Sequence, residues 1–408
     1  MEATTAIVPV RRAALAFIFI TVLLDILAFG LIIPVLPHLI ASFLDNNLSR
    51  AAVVHGLFAS VFMVMQFVFS PIQGALSDRY GRRPVILLSN LGLGLDFILM
   101  AVAQTLPLLF IGRVLSGITS ASFSTANAYI ADVTPPDKRG AAFGKLGMAF
   151  GIGFVIAPAI GGLLGDMNPR LPFWIAAGLS IGNFCYGYFV LPESLPPEKR
   201  ATFSWQRANP VASLKMLGRH PELFALAGVI FLMQLAHIVY PSTFVLYADY
   251  RFGWGPKMVG YTLAAVGILS IIIQGGLIGR IIRAIGERRT MLAGLVCGTL
   301  GFTLYGLAPT GRWFWAAMPI AAFWGLSMPA AQALMTQQVD AHEQGRLQGA
   351  IVSLSSVAGI LGPSVFTRAF AAVSGEDLSP GWAGLTFWLA GAMLLAALVL
   401  AWKTTRTR

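Results

Sequence analysis

The chain alternates between long apolar runs and short polar turns. A bilayer core takes about 20 apolar residues as a helix. Twelve runs meet that length, at approximately 13–40, 51–76, 84–103, 105–131, 140–165, 171–191, 222–249, 257–283, 288–308, 313–338, 344–373 and 381–402. Several exceed a minimal span, which predicts tilt or protruding ends. The longest break, 192–221, carries Pro192, Pro196, Pro197, Pro210, Pro221 and Trp205. It reads as a linker, with a short surface helix over 208–218. The pattern predicts an all-α membrane protein of twelve transmembrane helices in two six-helix halves, 1–191 and 222–408, joined by a cytoplasmic linker at 192–221.

The halves are pseudo-symmetric. An offset of 205 residues places Gly74 on Gly279, Gly81 on Gly286, Ala126 on Ala331, Ala128 on Ala333, Gly140 on Gly345, Gly144 on Gly349 and Pro158 on Pro363. Parallel repeats related by an axis along the membrane normal are a transporter architecture, in which the halves rock around a central site.

Composition agrees with an integral membrane protein. The chain is 57% hydrophobic and 11% charged, against about 25% charged residues in soluble domains. Its net charge of +11 is no nucleic-acid signature, because the basic residues sit in turns and not on one face. With both termini and the even-to-odd loops in the cytoplasm, twenty of the 28 Lys and Arg fall on that side and six on the other, Arg113 and Lys145 lying within helices. That asymmetry sets the orientation. Arg11 and Arg12 precede a first apolar run that is too long for a signal peptide and carries Asp25, so it reads as a retained helix. Cys185 and Cys297 lie inside apolar runs, which points to neither a disulfide framework nor a metal site.

The densest charge lies in the turn Gly74–Arg83, with Asp78, Arg79, Arg82 and Arg83 in ten residues. Gly74 and Gly81 permit close helix approach and an unusual backbone turn. Asp78 can attract the positive end of helix eleven near Gly345, and Arg82 can pair with Asp132. Together these would clasp the halves on the cytoplasmic side. The second-half copy has Arg283 in place of Asp78, so the clasp is not symmetric. Pro158 and Pro363, each beside glycine, allow bends where gating helices cross.

Ionisable residues inside the membrane are costly and so point to function. Asp25 lies near the middle of helix one. A carboxyl in that surrounding favours its neutral, protonated form, which is what a proton-coupling acid needs. Asp96 in helix three and Arg113 in helix four lie at depths compatible with contact, either as a buried ion pair or as part of coupling. His237, mid-helix seven, can titrate or hydrogen-bond a substrate. Asn127, Gln234, Gln274 and Gln332 are inward-facing amide candidates; such groups often bridge helices. Trp324, Phe97, Phe123 and Tyr240 can supply an aromatic lining. The substrate contacts expected from this set are Asn127, His237, Gln274, Gln332 and Trp324.

Gly74-x-Leu76-Ser77-Asp78-Arg79-x-Gly81-Arg82-Arg83 resembles the loop signature of the major facilitator superfamily. In helix five, Gly153 through Ala157-Pro158 to Gly161-Gly162 resembles that superfamily's drug-antiporter signature, with Ala157 where the pattern usually has Gly. Gly30-Leu-Ile-Ile-Pro34, Leu95-Asp96-Phe97, Gly112-Arg113, Ile130-Ala131-Asp132, Pro329-Ala-Ala-Gln332 and Gln344-Gly345 are similar to the tetracycline-resistance branch of proton-coupled efflux pumps. The resemblance runs from about 20 to 370 and implies the twelve-helix fold and drug–proton antiport. It supports the assignments to Asp78 and Arg82. That branch typically carries a His in helix eight and an Asp in helix nine, both tied to export. Here Ser270 and Gly298 stand there.

The implied function is secondary active efflux of a small amphipathic compound, tetracycline-like or otherwise, across the bacterial inner membrane. A carrier of a metabolite on the same scaffold is the alternative. The expected partners are a small-molecule substrate, protons and lipid, with no nucleic acid and a monomeric chain. The expected energy source is the proton gradient, with no cofactor. ATP is not indicated, since Gly144-Lys145 is followed by Leu146 and no phosphate-binding loop occurs. A membrane enzyme or receptor fits poorly, because the five histidines are scattered and no sizeable soluble domain exists.

Overall fold

The computed structural model describes residues 7–120, 122–135, 139–202, 221–339, 344–374 and 380–405. The expected surface helix at 208–218 falls outside them. Apolar length dictates the architecture, and all the long elements among the described residues are helices. They are α1 (Ala16–Ser42), α2 (Leu48–Tyr80), α3 (Arg82–Val102), α4 (Leu106–Val133), α5 (Leu146–Met167), α6 (Leu171–Val190), α7 (Leu223–Phe252), α10 (Gly311–Thr336), α11 (Leu347–Val373) and α12 (Gly381–Thr405), plus one run of 52 residues, Pro256–Leu307. That run is too long for one crossing. Gly286 breaks it with φ 78° and ψ 164°, giving α8 (256–285) and α9 (287–307). The described helices therefore make twelve spans.

Gly81, which the 205-residue offset superimposes on Gly286, has φ 107° and ψ 159°. Both repeat-related turns use a backbone region that side chains scarcely tolerate. The sequence repeat is thus a repeat of backbone geometry.

Contacts divide the chain into two units: Met1–Leu36 with Val61–Asn209, and Pro37–Ser60 with Pro210–Arg408. In the first unit α1 packs on α5 and α6, and α3 packs on α4 and α6. In the second, α7 packs on α11 and α12, and α9 packs on α10 and α12. Adding six to each partner of the first set gives the second. Small residues allow these approaches, as expected where helices must pack without a hydrophobic contrast against lipid. At Gly161 in α5, a Cβ would come 2.8 Å from the Cα of Leu31 in α1.

Segment 37–60 is fastened to the second unit by polar contacts. Ser49 Oγ donates to the Ala371 carbonyl at 2.9 Å and Ser60 Oγ to the Ile360 carbonyl at 3.0 Å. His55 Nε2 lies 3.1 Å from the Pro241 carbonyl, which requires the proton on that nitrogen. His38 Nε2 stands 3.4 Å from Asp249 Oδ2.

Candidate functional site

Asp25 is buried on α1, one turn beyond buried Thr21. Residues four apart share a helix face, and this face meets α6. There Asn183, fully buried, donates its amide to Asp25 Oδ1 at 2.9 Å. The same nitrogen donates to the Thr21 carbonyl at 2.9 Å. The amide thereby couples the carboxyl to the helix backbone just beneath it. α5 closes the other side of α1 through Gly153 and Gly161, whose small size brings α5 against Ile26 and Leu31. Pro158 sits inside that helix without ending it. Asn183 is the residue sequence reasoning missed here. Its one signal was an amide inside an otherwise apolar run.

Asp96 and Arg113 are both buried, but they do not form the direct ion pair their depths allowed. Asp96 accepts a hydrogen bond from the Ser116 hydroxyl. The Arg113 guanidinium lies over the Phe62 ring at 4.4 Å. The two remain close enough to interact electrostatically, Asp96 Oδ1 lying 2.9 Å from where a Cβ of Gly112, the neighbour of Arg113, would stand. Phe97, an expected lining residue, is 2% exposed and belongs to the packed interior. Phe123 lies outside the residues whose side chains are described.

The charged turn is a network within the first unit. Arg82 uses Nη1 for Asp78 Oδ1 at 2.5 Å and Ser77 Oγ at 2.7 Å, and Nε for Asp132 Oδ2 at 3.0 Å. The expected pairing of Arg82 with Asp132 is therefore present, and Asp78 shares the same guanidinium. Residues 340–343, before the α11 end expected to meet Asp78, lie outside the described residues. Ser194 Oγ donates to Asp132 Oδ2 at 3.1 Å, and the Ala201 N–H donates to the Asp78 carbonyl at 3.0 Å. Arg83 Nη2 donates to the Tyr188 carbonyl at 2.5 Å. Arg79 is exposed, lying over Tyr80.

Glu193 was not anticipated. Its carboxylate accepts the backbone N–H of Arg82 at 2.8 Å and that of Arg83 at 3.3 Å. These are orphan donors at the start of α3, where a negative charge also suits the helix dipole. Gly81 is needed twice over, since its φ is positive and a Cβ would run into the Glu193 carboxylate. Gly74 is not a close approach: a Cβ there would meet nothing within 4 Å, and its carbonyl accepts the Ser77 hydroxyl at 2.8 Å.

In the second unit, three of the expected substrate contacts come together. His237 on α7 faces Trp324 on α10, with ring centroids 5.3 Å apart. Tyr240 lies 6.0 Å from His237. Gln274 on α8 approaches the Trp324–Gly325 turn, its Nε2 being 3.1 Å from where a Gly325 Cβ would stand. Gln234 is a helix bridge, donating to Ser355 Oγ at 2.6 Å. Gln332, half-buried on α10, makes no side-chain hydrogen bond among the described residues, and Asn127 lies on α4 of the first unit, exposed. The other aromatics are packing: Tyr305 stacks on Phe314 at 4.1 Å, and Phe387 meets Tyr247 at 4.8 Å. Pro363 sits within α11, its carbonyl taken by the Thr367 hydroxyl at 2.7 Å.

The profile of the Major Facilitator Superfamily matches residues 18–363. The chain belongs to that superfamily. Within it, the tetracycline resistance protein of class C from Escherichia coli is 38% identical over 384 residues, covering 93% of this chain and 94% of that one. The class D protein from Salmonella ordonez is 34% identical, covering 92% and 93%. These place the chain in the tetracycline-resistance branch. The fold is shared with a bacterial homologue of the human lysosomal transporter Spinster, at a TM-score of 0.79 and 18% identity, covering 98% of both chains.

A major facilitator of this branch is a secondary transporter of the proton-coupled drug-efflux type, not an enzyme, and a multi-pass membrane protein. The two departures from the branch pattern have a structural setting. Ser270 is the last residue before a π-helical turn, Ile271–Leu277, in α8. Gly298 on α9 lies beneath the Trp324 indole.

Proposed function

We propose that this chain exports a small amphipathic drug across the bacterial inner membrane in exchange for protons, with a tetracycline-like compound as the first candidate. The observation that carries the reading is Asp25, a carboxyl buried at mid-helix and held by the Asn183 amide at 2.9 Å. Neutralising such a group by protonation removes the cost of a buried charge. Proton uptake on one side and release on the other would then alternate with substrate occupancy. Asp96 and Arg113, the other two proton-coupling candidates, assist this carboxyl. Asn127, His237, Gln274, Gln332 and Trp324 contact the cargo. Gly74, Asp78, Arg79, Gly81, Arg82, Arg83 and Asp132 form the cytoplasmic gate, and Gly153, Pro158, Gly161, Gly162 and Pro363 shape the helices that move. Both termini face the cytoplasm, the chain works as a monomer, and the proton gradient replaces any cofactor.

Ser270 and Gly298 favour a second reading, in which the same machine carries a metabolite or a drug outside the tetracycline class. A growth-inhibition panel of antibiotics and dyes in a pump-deficient host decides the cargo. Efflux into everted vesicles with an imposed pH gradient decides the coupling. Wild type is expected to raise resistance to at least one compound, with accumulation that collapses when the gradient is dissipated and is lost in Asp25→Asn. Gradient-driven flux that survives Asp25→Asn overturns the coupling reading.

A further inference from the structure

Four polar side chains inside the first unit carry hydrogen-bonding atoms that no described residue meets. They are Thr21 Oγ1 on α1, both amide atoms of Asn90 on α3, and Ser180 Oγ and Asn183 Oδ1 on α6. All four residues are buried, none more than 1% exposed. Lipid supplies no partner for such groups, so each calls for one that is neither side chain nor lipid.

The four share one seam. Leu87, Asn90 and Gly94 follow one another at helical spacing on a single face of α3. A Cβ on Gly94 would lie 2.6 Å from Ile181 Cγ1 of α6, and one on Gly187 of α6 would lie 2.8 Å from Leu87 Cδ2. Asn90 and Asn183 therefore stand between the same two contacts, at one level. Toward α1, Asn183 reaches Asp25 Oδ1 at 2.9 Å. One turn further along α6, Tyr186 meets Phe17 edge-on with ring centroids 6.1 Å apart, and its hydroxyl is also buried without a partner among the described residues. The polar atoms thus form a ladder from Asp25 toward the end of α6 where Arg83 Nη2 holds the Tyr188 carbonyl.

Packing alone does not ask for these groups. The 205-residue offset carries Thr21, Asp25 and Asn90 onto Leu226, Ile230 and Leu295, all buried in the second unit. The same scaffold closes there with hydrocarbon. Buried water takes two to four polar partners per molecule, and hydroxyls and amides offer it both donors and acceptors.

We infer that Thr21, Asn90, Ser180 and Asn183 hold a file of buried waters that carries the Asp25 proton to the charged end of the first unit. This rests on the export reading, in which Asp25 loads and unloads a proton. The Asp25 acid gives its proton to the neighbouring water and keeps the electron pair as carboxylate. Each water accepts one proton and passes on another, so one proton reaches bulk water and no water is consumed. The Thr21 and Ser180 hydroxyls can relay a proton themselves, while the two amides hold the waters in line. The route lies within the first unit, so proton and cargo need not share a path.

The test uses the full chain in liposomes and two measurements that need no cargo. Radiolytic hydroxyl labelling marks side chains beside bound water. Asn90→Leu, which copies Leu295 of the second unit, is expected to cut labelling of Tyr186 about fivefold and leave buried Phe173 unchanged. Infrared spectroscopy then follows exchange of the Asp25 proton for deuterium, the band being assigned by its loss in Asp25→Asn. Exchange should slow about tenfold in Asn90→Leu and return to within about threefold of wild type in Asn90→Gln. A purely structural Asn90 would lower the unfolding temperature and leave the exchange rate alone. Unchanged Tyr186 labelling or unchanged exchange in Asn90→Leu overturns the inference. Where Asn90→Leu does not reach the membrane, Thr21→Val decides on the same two readouts. Gradient-driven tetracycline efflux that survives Asp25→Asn sinks the export reading instead. The water file would then still stand on Tyr186 labelling that falls in Asn90→Leu, and fall with labelling that does not.

Discussion

Asn183 and Asp25 lie 158 positions apart in the chain and 2.9 Å apart in space. One amide nitrogen serves both the carboxyl and the Thr21 carbonyl, so the acid cannot shift without loosening the face that α1 presents to α6. Asn183→Leu is expected to lower gradient-driven efflux at least tenfold while leaving membrane insertion intact. Asn183→Gln should recover part of it. Everted-vesicle uptake normalised to protein level provides the measurement, and full activity in Asn183→Leu would remove Asn183 from the mechanism.

The two intramembrane carboxylates should behave differently. Asp96 accepts from the Ser116 hydroxyl, a role an amide oxygen can fill. Asp96→Asn is expected to keep more than about half of the coupled transport, whereas Asp25→Asn abolishes it. Arg113→Ala should be worse than Asp96→Asn, because it also removes the cation over Phe62, worth about 0.5–2 kcal/mol when desolvated. Parallel initial rates in the three variants check the ranking.

Gly81 and Gly286 share a backbone conformation but not a neighbourhood. A Cβ at Gly81 meets the Glu193 carboxylate, while one at Gly286 meets nothing within 4 Å. Gly286→Ala should therefore cost only the backbone strain, about 1–3 kcal/mol. Gly81→Ala should cost more and unfold at a lower temperature in detergent. A larger drop for Gly286→Ala would contradict this account of the turn.

The Arg82 guanidinium reaches Asp78, Ser77 and Asp132 at once, which a lysine ammonium on a flexible stem does not reproduce. Arg82→Lys is expected to lower transport several-fold despite the retained charge. Glu193→Ala should lower stability by about 0.5–2 kcal/mol through the lost cap on α3. Glu193→Gln should lie between it and wild type. Thermal unfolding and vesicle efflux together separate the two effects.

The legible part of this protein was what period, length and spacing encode. Twelve apolar runs and the 205-residue offset are local or periodic signals with counterparts in the helices, whereas the charged stretch Gly74–Arg83, read as a turn, is helical through Tyr80 and turns only at Gly81. The Arg82–Asp132 pair was also reachable, because both residues stand at helix ends on one side of the membrane. Glu193 was hidden because it reaches the N-terminus of α3 from 111 residues away. Asn183 was hidden because an amide in a membrane helix is usually a mere bridge, as Gln234 proved to be. Asp96 and Arg113 do lie near enough to attract one another, as their depths suggested, though the Ser116 hydroxyl and the Phe62 ring take the direct contacts. His237 and Trp324 meet across two helices 87 positions apart, and no local period couples them.

Residues 37–60 belong by sequence to the first six helices and by contact to the second unit. A gene severed within the 192–221 connection would thus deliver a downstream fragment missing the hydroxyls and imidazoles that finish its own surface. Reassembly from two separately expressed pieces should be obligatory rather than optional, with the downstream piece degraded when made alone.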